Sequence, residues 1–314
     1  MSYGTILVPL DGSELAETAL YYVELIPSQS VRLLCVEPVE LSAARARWAR
    51  GETLPDGSTW LVSTPAEYLD LIGRRFRDQD RQTESVVVPG EPGPTIVEAA
   101  KTADLIVMAT RGHGASRLHL GTTADYVVRH APVPAIVLRA STASEQPAIL
   151  RVVVLLDGSA LAEEALPLAS TLAQALQVPV HLVRAVDPAT SLSTEAMLVS
   201  EADAYLASKE QELGLTVPIT RDVRSGTMPD IVVNAIRLGD LVVMSTRGTG
   251  ATRQLLGSVT EAVLDQTVVP VVLVSAARGT TARALAAAEQ HRLGCGGRIH
   301  PGDLRAHRCA PRWE

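Results

Sequence analysis

The sequence predicts an α/β protein built of two doubly wound, parallel-sheet domains in tandem. Three observations lead there. Apolar runs of strand length alternate with segments whose apolar residues recur at helical spacing through most of the 314 residues. Strands that are apolar throughout belong in a parallel sheet covered by helices on both faces. One stretch then occurs twice without a gap, as Asp104–Thr123 and as Asp240–Val259; each copy is an apolar run, a glycine loop, and Gly-Thr or Gly-Ser opening a helix-like segment. Upstream of each lies a second recurring piece, Ile6–Ser13 (ILVPLDGS) and Val152–Ser159 (VVVLLDGS). The chain is a duplication, and its repeated parts are where chemistry is to be sought.

Taken in order, Thr5–Leu10 is a short buried strand rich in β-branched residues. Asp11-Gly12-Ser13 is a turn with Ser13 as N-cap, and Leu15, Ala16, Ala19, Leu20, Val23 and Ile26 follow at helical spacing. Val31–Glu37 is the second strand. Residues 39–64 form an irregular insert with Trp48 and Trp60, unmatched in length in the second half. Pro65–Asp80 is helical, Ser85–Val88 a strand, Pro92–Thr102 a helix, Leu105–Ala109 a strand, Thr122–His130 a helix and Ala135–Leu138 a strand. The second half repeats this order. Its strands are Arg151–Leu156, Val180–Val186, Thr216–Val223, Leu241–Ser245 and Val271–Val274. Its helices are Ala160–Leu176, Thr194–Leu213, Met228–Leu238 and Val259–Gln266.

These elements divide the chain into a first domain over residues 1–140, a linker at 141–148, a second domain over 149–277 and a tail over 278–314. The tail is basic and has no strand pattern, so it is expected to be poorly ordered. His291, Cys295, His300, His307 and Cys309 are zinc-ligand types, but their spacing fits no compact finger, and no metal site is assigned.

Composition narrows the function. A hydrophobic content of 46% lets each half bury a core, and a formal charge of −7 argues against a general nucleic-acid binder. No apolar run reaches the length of a membrane span, and no basic segment of signal-peptide type opens the chain, so a cytoplasmic protein is expected. Three cysteines make no disulfide framework, and Cys35 reads as a small core residue.

A loop that leaves the carboxyl end of a parallel strand and enters a helix is a natural phosphate site, because glycine admits close backbone approach and the helix's first amides point at the anion. Gly112, Gly114 and Gly121 have this placement, as do Gly248, Gly250 and Gly257; Thr122, Thr123 and Ser258 add hydroxyls, and Arg111 and Arg247 add charge. The same glycines would equally serve to permit the turn alone. Asp11 and Asp157 end the first strand of each half, at the ligand edge of an open α/β sheet. Each carboxylate could accept from ribose hydroxyls, or simply close a tight turn at a helix start. The Walker A lysine is missing, since Lys101 and Lys209 are the only lysines and neither lies in a glycine loop. No dinucleotide fingerprint follows the first strand.

Together, in order and twice over, these pieces resemble the universal stress protein family, specifically its tandem members. The resemblance covers roughly residues 3–140 and 149–276. It rests on Ile6–Ser13, Met108–Thr123 and Val127–Leu138, and on Val152–Ser159, Met244–Val259 and Val263–Val274. It implies Rossmann-like domains akin to those of adenine nucleotide alpha hydrolases, packed as an intramolecular pseudo-dimer that the last strand of each domain helps to form.

Nucleotide-binding members of that family hold ATP through the first-strand Asp and a glycine loop ending in Gly-Ser or Gly-Thr. Carried over, this implies that Asp11, with Pro9 and Leu10, meets the nucleoside. The backbone of Val36 meets adenine, with Met108 and Ala109 beside it, and Gly112, Gly121, Thr122 and Thr123 hold phosphates. Leu156, Asp157, Ala185, Met244, Ser245, Gly248, Gly257, Ser258 and Val259 do the same in the second half. Ala109 and Ser245 replace the first glycine of the family pattern, and the spacer between Gly112 and Gly121 is one residue short, as is that between Gly248 and Gly257. The implied cofactor is ATP or AMP, with Mg2+ as an accompanying ion, and a further homodimer of whole chains is an additional expectation.

No catalytic nucleophile or general base is assigned. The expected function is an adenine-nucleotide-binding stress-response protein, regulatory rather than catalytic. Two alternatives remain: a nucleotide-free interaction module of the same fold, and a slow ATP hydrolase using Arg111 or His113.

Overall fold

A computed structural model describes residues 3–39, 64–110, 120–139, 148–190, 193–226, 230–246 and 257–274. The Trp48 and Trp60 insert, the centres of both glycine loops and the 278–314 tail lie outside the described residues.

The first half runs β1 (Tyr3–Pro9), α1 (Glu14–Leu25), β2 (Ser28–Glu37), α2 (Pro65–Arg77), β3 (Gln82–Pro89), α3 (Pro92–Ala99), β4 (Leu105–Thr110), α4 (Thr122–His130) and β5 (Ala135–Arg139). The second runs β6 (Arg151–Leu156), α5 (Ala160–Glu163), α6 (Leu166–Leu176), β7 (Val180–Val186), α7 (Glu195–Leu213), β8 (Ile219–Ser225), α8 (Asp230–Ala235), β9 (Asp240–Ser245), α9 (Ser258–Gln266) and β10 (Val271–Val274).

The local chemistry explains the starts. Ser13 accepts from the Ala16 amide at α1, Ser159 from Ala162 at α5, and Thr194 from Met197 at α7. At α2, Thr64 and Glu67 form a reciprocal capping box ahead of Pro65. The expected helix Ala160–Leu176 is in fact two pieces. Pro167 stands at the start of the second, where it has no N–H to give and crowds the preceding turn, whereas α1 has Tyr21 at the matching place and is continuous. The expected strand Thr216–Val223 begins only after Pro218, whose carbonyl accepts from Val180. The expected helix Met228–Leu238 is described over Asp230–Ala235.

All ten strands join one sheet in the order β3-β2-β1-β4-β5-β10-β9-β6-β7-β8. Within each half the pairings are parallel, and the chain moves out from the first strand to one side before returning to the other. The reversal therefore falls between β1 and β4, and between β6 and β9, which are the two switch points of the fold. The halves meet through an antiparallel pairing of β5 with β10, as Ala135 with Leu273, Ile136 with Val272 and Val137 with Val271.

One face of the sheet carries a single apolar cluster that crosses this seam, from Ile6, Val8 and Ile136 to Val272, Val152 and Leu182. The opposite face carries two clusters. One gathers Leu7, Leu34, Ile106 and Met108 beneath α3 and α4, and the other gathers Val153, Val183, Val242 and Met244. Val128 and Val137 of the first half belong to the latter, so this face is also closed at the seam. Arg139 of β5 adds a hydrogen bond to the Asp265 carbonyl of α9.

Candidate nucleotide site

Each half brings an Asp-Gly-Ser turn to the carboxyl edge of its sheet. Asp11 Oδ1 accepts from the Ser13 amide at 3.0 Å and from its hydroxyl at 2.5 Å; Asp157 Oδ1 accepts from Ser159 at 2.9 and 2.5 Å. Ser13 and Ser159 are also the helix caps, so each serine locks the carboxylate and the helix start into one unit. The central glycines hold φ of +80° at Gly12 and +86° at Gly158, a conformation costly for any residue with a Cβ. Asp11 is exposed and Asp157 half-buried.

Across the switch point, β4 and β9 lead into the glycine loops. Gly121 and Gly257 are the N-caps of α4 and α9, with ψ of 151° at both. Each is tied back to its own strand: the Gly121 amide donates to Thr110 Oγ1 at 3.2 Å, and the Gly257 amide donates to the Thr246 carbonyl at 3.3 Å. Thr110 and Thr246 are buried and occupy equivalent places in the repeat. They hold the two ends of each loop together, a role the sequence reading overlooked. The signal was present in the repeated Thr-Arg-Gly at both strand ends.

Unlike α1, α2, α5 and α7, neither α4 nor α9 has a side chain capping its first turn. Those amides, with the exposed Thr122 and Ser258, lie at the carboxyl edge without a side-chain partner from the cap, the chemistry that suits an anion at a helix start. Thr123 and Val259 beside them are half-buried.

Sheet register locates the other expected site residues that are described. Val36 and Ala185 are equivalent: each precedes the residue whose carbonyl accepts from a glycine after the next strand, Glu37 from Gly90 and Val186 from Gly226. Met108 and Met244 are buried, on the same faces as Val36 and Ala185 respectively. Leu10 and Leu156 point into the core that spans both halves, so only their main chains are at the edge, and the Leu10 amide already donates to Leu34. Pro9, Ala109 and Ser245 sit at or next to strand ends. Arg111, Gly112, Arg247 and Gly248 lie outside the described residues, as do Gly114, Gly250, His113 and His119. His130 is exposed and stacks on Tyr126 at 4.2 Å, away from the edge chemistry. Cys35 is half-buried against the apolar cluster. Among the described residues no group of His, Cys, Asp or Glu is arranged for a metal ion, and no helix is long and apolar enough to cross a membrane.

Two doubly wound halves with matching edge turns and glycine-capped helices define a tandem α/β protein of Rossmann-like architecture. A family model described as the universal stress protein family matches residues 2–139 and again 149–275. The chain belongs to the universal stress protein family.

It is 31% identical over 238 residues to universal stress protein Rv2005c of Mycobacterium tuberculosis, covering 70% of this chain and 81% of that relative. Universal stress protein Sll1388 of Synechocystis is 31% identical over 144 residues, 41% of this chain and 94% of the relative. Among solved structures, a universal stress protein from Archaeoglobus fulgidus superposes with a TM-score of 0.65 at 19% identity, over 87% of this chain and 98% of that one. That likeness concerns the fold.

Proposed function

We propose that this protein binds adenine nucleotides, ATP or AMP, at the carboxyl edge of each half, as a regulatory component of a stress response rather than as an efficient catalyst. The observation that supports this best is the duplicated pairing across each switch point. On one side stands a carboxylate held by its own serine, Asp11 or Asp157; on the other stands a helix capped only by glycine, at Gly121 or Gly257. A carboxylate suits ribose hydroxyls, and uncapped helix amides suit phosphates. In this reading residues 1–140 and 149–277 act as the two binding domains. Arg111, Gly112, Arg247 and Gly248 complete the phosphate loops. Mg2+ would accompany the polyphosphate through its own oxygens.

The test is to denature freshly purified protein and identify any released nucleotide by chromatography and mass. An adenine nucleotide near two per chain supports both sites. The absence of any nucleotide, followed by no binding on titration with ATP and magnesium, favours the nucleotide-free interaction module. Steady ATP cleavage that His113→Ala abolishes would instead favour the slow hydrolase.

A further inference from the structure

The two glycine-capped helices hold the same place in their halves but differ in charge. The repeat aligns Asp125 with Glu261 and Arg129 with Asp265. In α4, Asp125 and Arg129 stand four residues apart and form an ion pair at 2.7 Å. The last turn of α4 holds Arg129 and His130, and the His130 ring bonds the Tyr126 carbonyl at 2.8 Å. This helix has its favourable charge pair, and a cation at its negative end, within its own sequence.

In α9 the same two places hold Glu261 and Asp265, like charges four residues apart, and the last turn has no basic residue. Both features disfavour a nine-residue helix, which depends on tertiary support. Much of that support comes from the first half. Arg139, at the end of β5, donates to the Asp265 carbonyl, one of the last-turn acceptors that no helical amide reaches. The Arg129 guanidinium is held charged first by its hydrogen bond with Asp125 and, more weakly, by Glu261 of α9. Val128 of α4 lies in one apolar cluster with Val263 and Leu264 of α9. The arrangement is not reciprocal, because Ser275 stands in the second half where Arg139 stands in the first. The first loop is closed without the Arg139 guanidinium: Thr110, its strand partner, holds the Gly121 amide through its own hydroxyl.

We infer that Arg139 is a positioning residue for the second site: the first half holds the helix whose start takes the phosphates of the second, whereas the helix of the first site is held within its own half. This rests on the nucleotide reading above and sharpens it. The start of α9 is placed for a ligand when both its ends are fixed, one at the Thr246 carbonyl and the other by Arg139. The apparent affinity of the second site scales with the fraction of molecules in which α9 is so held.

The experiment isolates each site in the full chain. Asp11→Ala protein reports the second site and Asp157→Ala the first, each titrated calorimetrically with ATP. Arg139→Gln is expected to weaken ATP at the second site about fivefold, the scale of one cation at a helix C-terminus, and to leave the first site within about twofold. Arg139→Lys, which keeps the charge, retains most of the second-site affinity. Asp265→Arg, added to Arg139→Gln, gives α9 the charge pattern of α4 and restores second-site binding, a rescue that general damage to the seam would not show. An unchanged second site, an equal loss at both sites, or no recovery with Asp265→Arg would overturn the inference while leaving nucleotide binding intact. Wild-type protein that binds no ATP would overturn the nucleotide reading itself, and the inference with it.

Discussion

Ile136 faces Val272 across the antiparallel seam, and the two hold the same place in the closing segments Val127–Leu138 and Val263–Val274. A residue that pairs with its own counterpart marks a local twofold relation between the halves. Both side chains are fully buried, and both belong to the apolar cluster that continues from one half into the other. The seam is thus a continuation of the core, with backbone hydrogen bonds added.

Cutting into that seam should destabilise both halves together. Ile136→Ala is expected to lower stability by about 2–5 kcal/mol, the range for deleting a large buried aliphatic. Denaturant unfolding of the wild type, followed by circular dichroism, should show one cooperative transition. Ile136→Ala should shift its midpoint without splitting it into two.

The turn glycines give a paired comparison. Gly12 and Gly158 share a positive φ, but a Cβ on Gly12 meets nothing within 4 Å, whereas one on Gly158 meets Arg184. Gly12→Ala should cost roughly 1 kcal/mol from backbone strain alone. Gly158→Ala should cost more, because Arg184 must also leave the Tyr205 ring, over which its guanidinium lies. Equilibrium unfolding of the two variants side by side reads the difference.

The fold was largely legible because its signals are local and repeated. Alternating apolar runs and helical spacing located most elements, and the repeated Asp-Gly-Ser turns marked the carboxyl edge of each half. What escaped was non-local or hung on a single proline. Pro167 interrupts a helix that spacing alone makes continuous, and Pro218 delays β8. Thr110 and Thr246 act on Gly121 and Gly257 across a loop, which no periodicity records. The Arg184–Tyr205 contact joins β7 to α7, and only sheet register reveals that Cys35 is its counterpart.

A titratable group at the opposite end of the second half predicts acid sensitivity. His181 donates to or accepts from Thr220 Oγ1 at 2.8 Å, and Arg151 pairs with Asp240 at 2.6 Å nearby. Burial, with the Arg151 charge, pushes the His181 pKa down, outweighing Asp222. A histidine whose folded pKa lies below its unfolded value leaves stability intact above about pH 6.5. As pH falls below that, the unfolded chain takes up the proton first, so stability drops until the folded pKa is reached. His181→Gln, which keeps a hydrogen bond to Thr220, should flatten this slope in urea unfolding measured from pH 7.5 down to 5.

Calorimetric titration of the wild type with ATP, beside Asp11→Ala, Asp157→Ala and the double variant, tests the central claim most directly. The account predicts a stoichiometry near two ATP per wild-type chain, near one for each single variant and none for the double. Binding by the double variant as in the wild type, or no binding by the wild type, would contradict it.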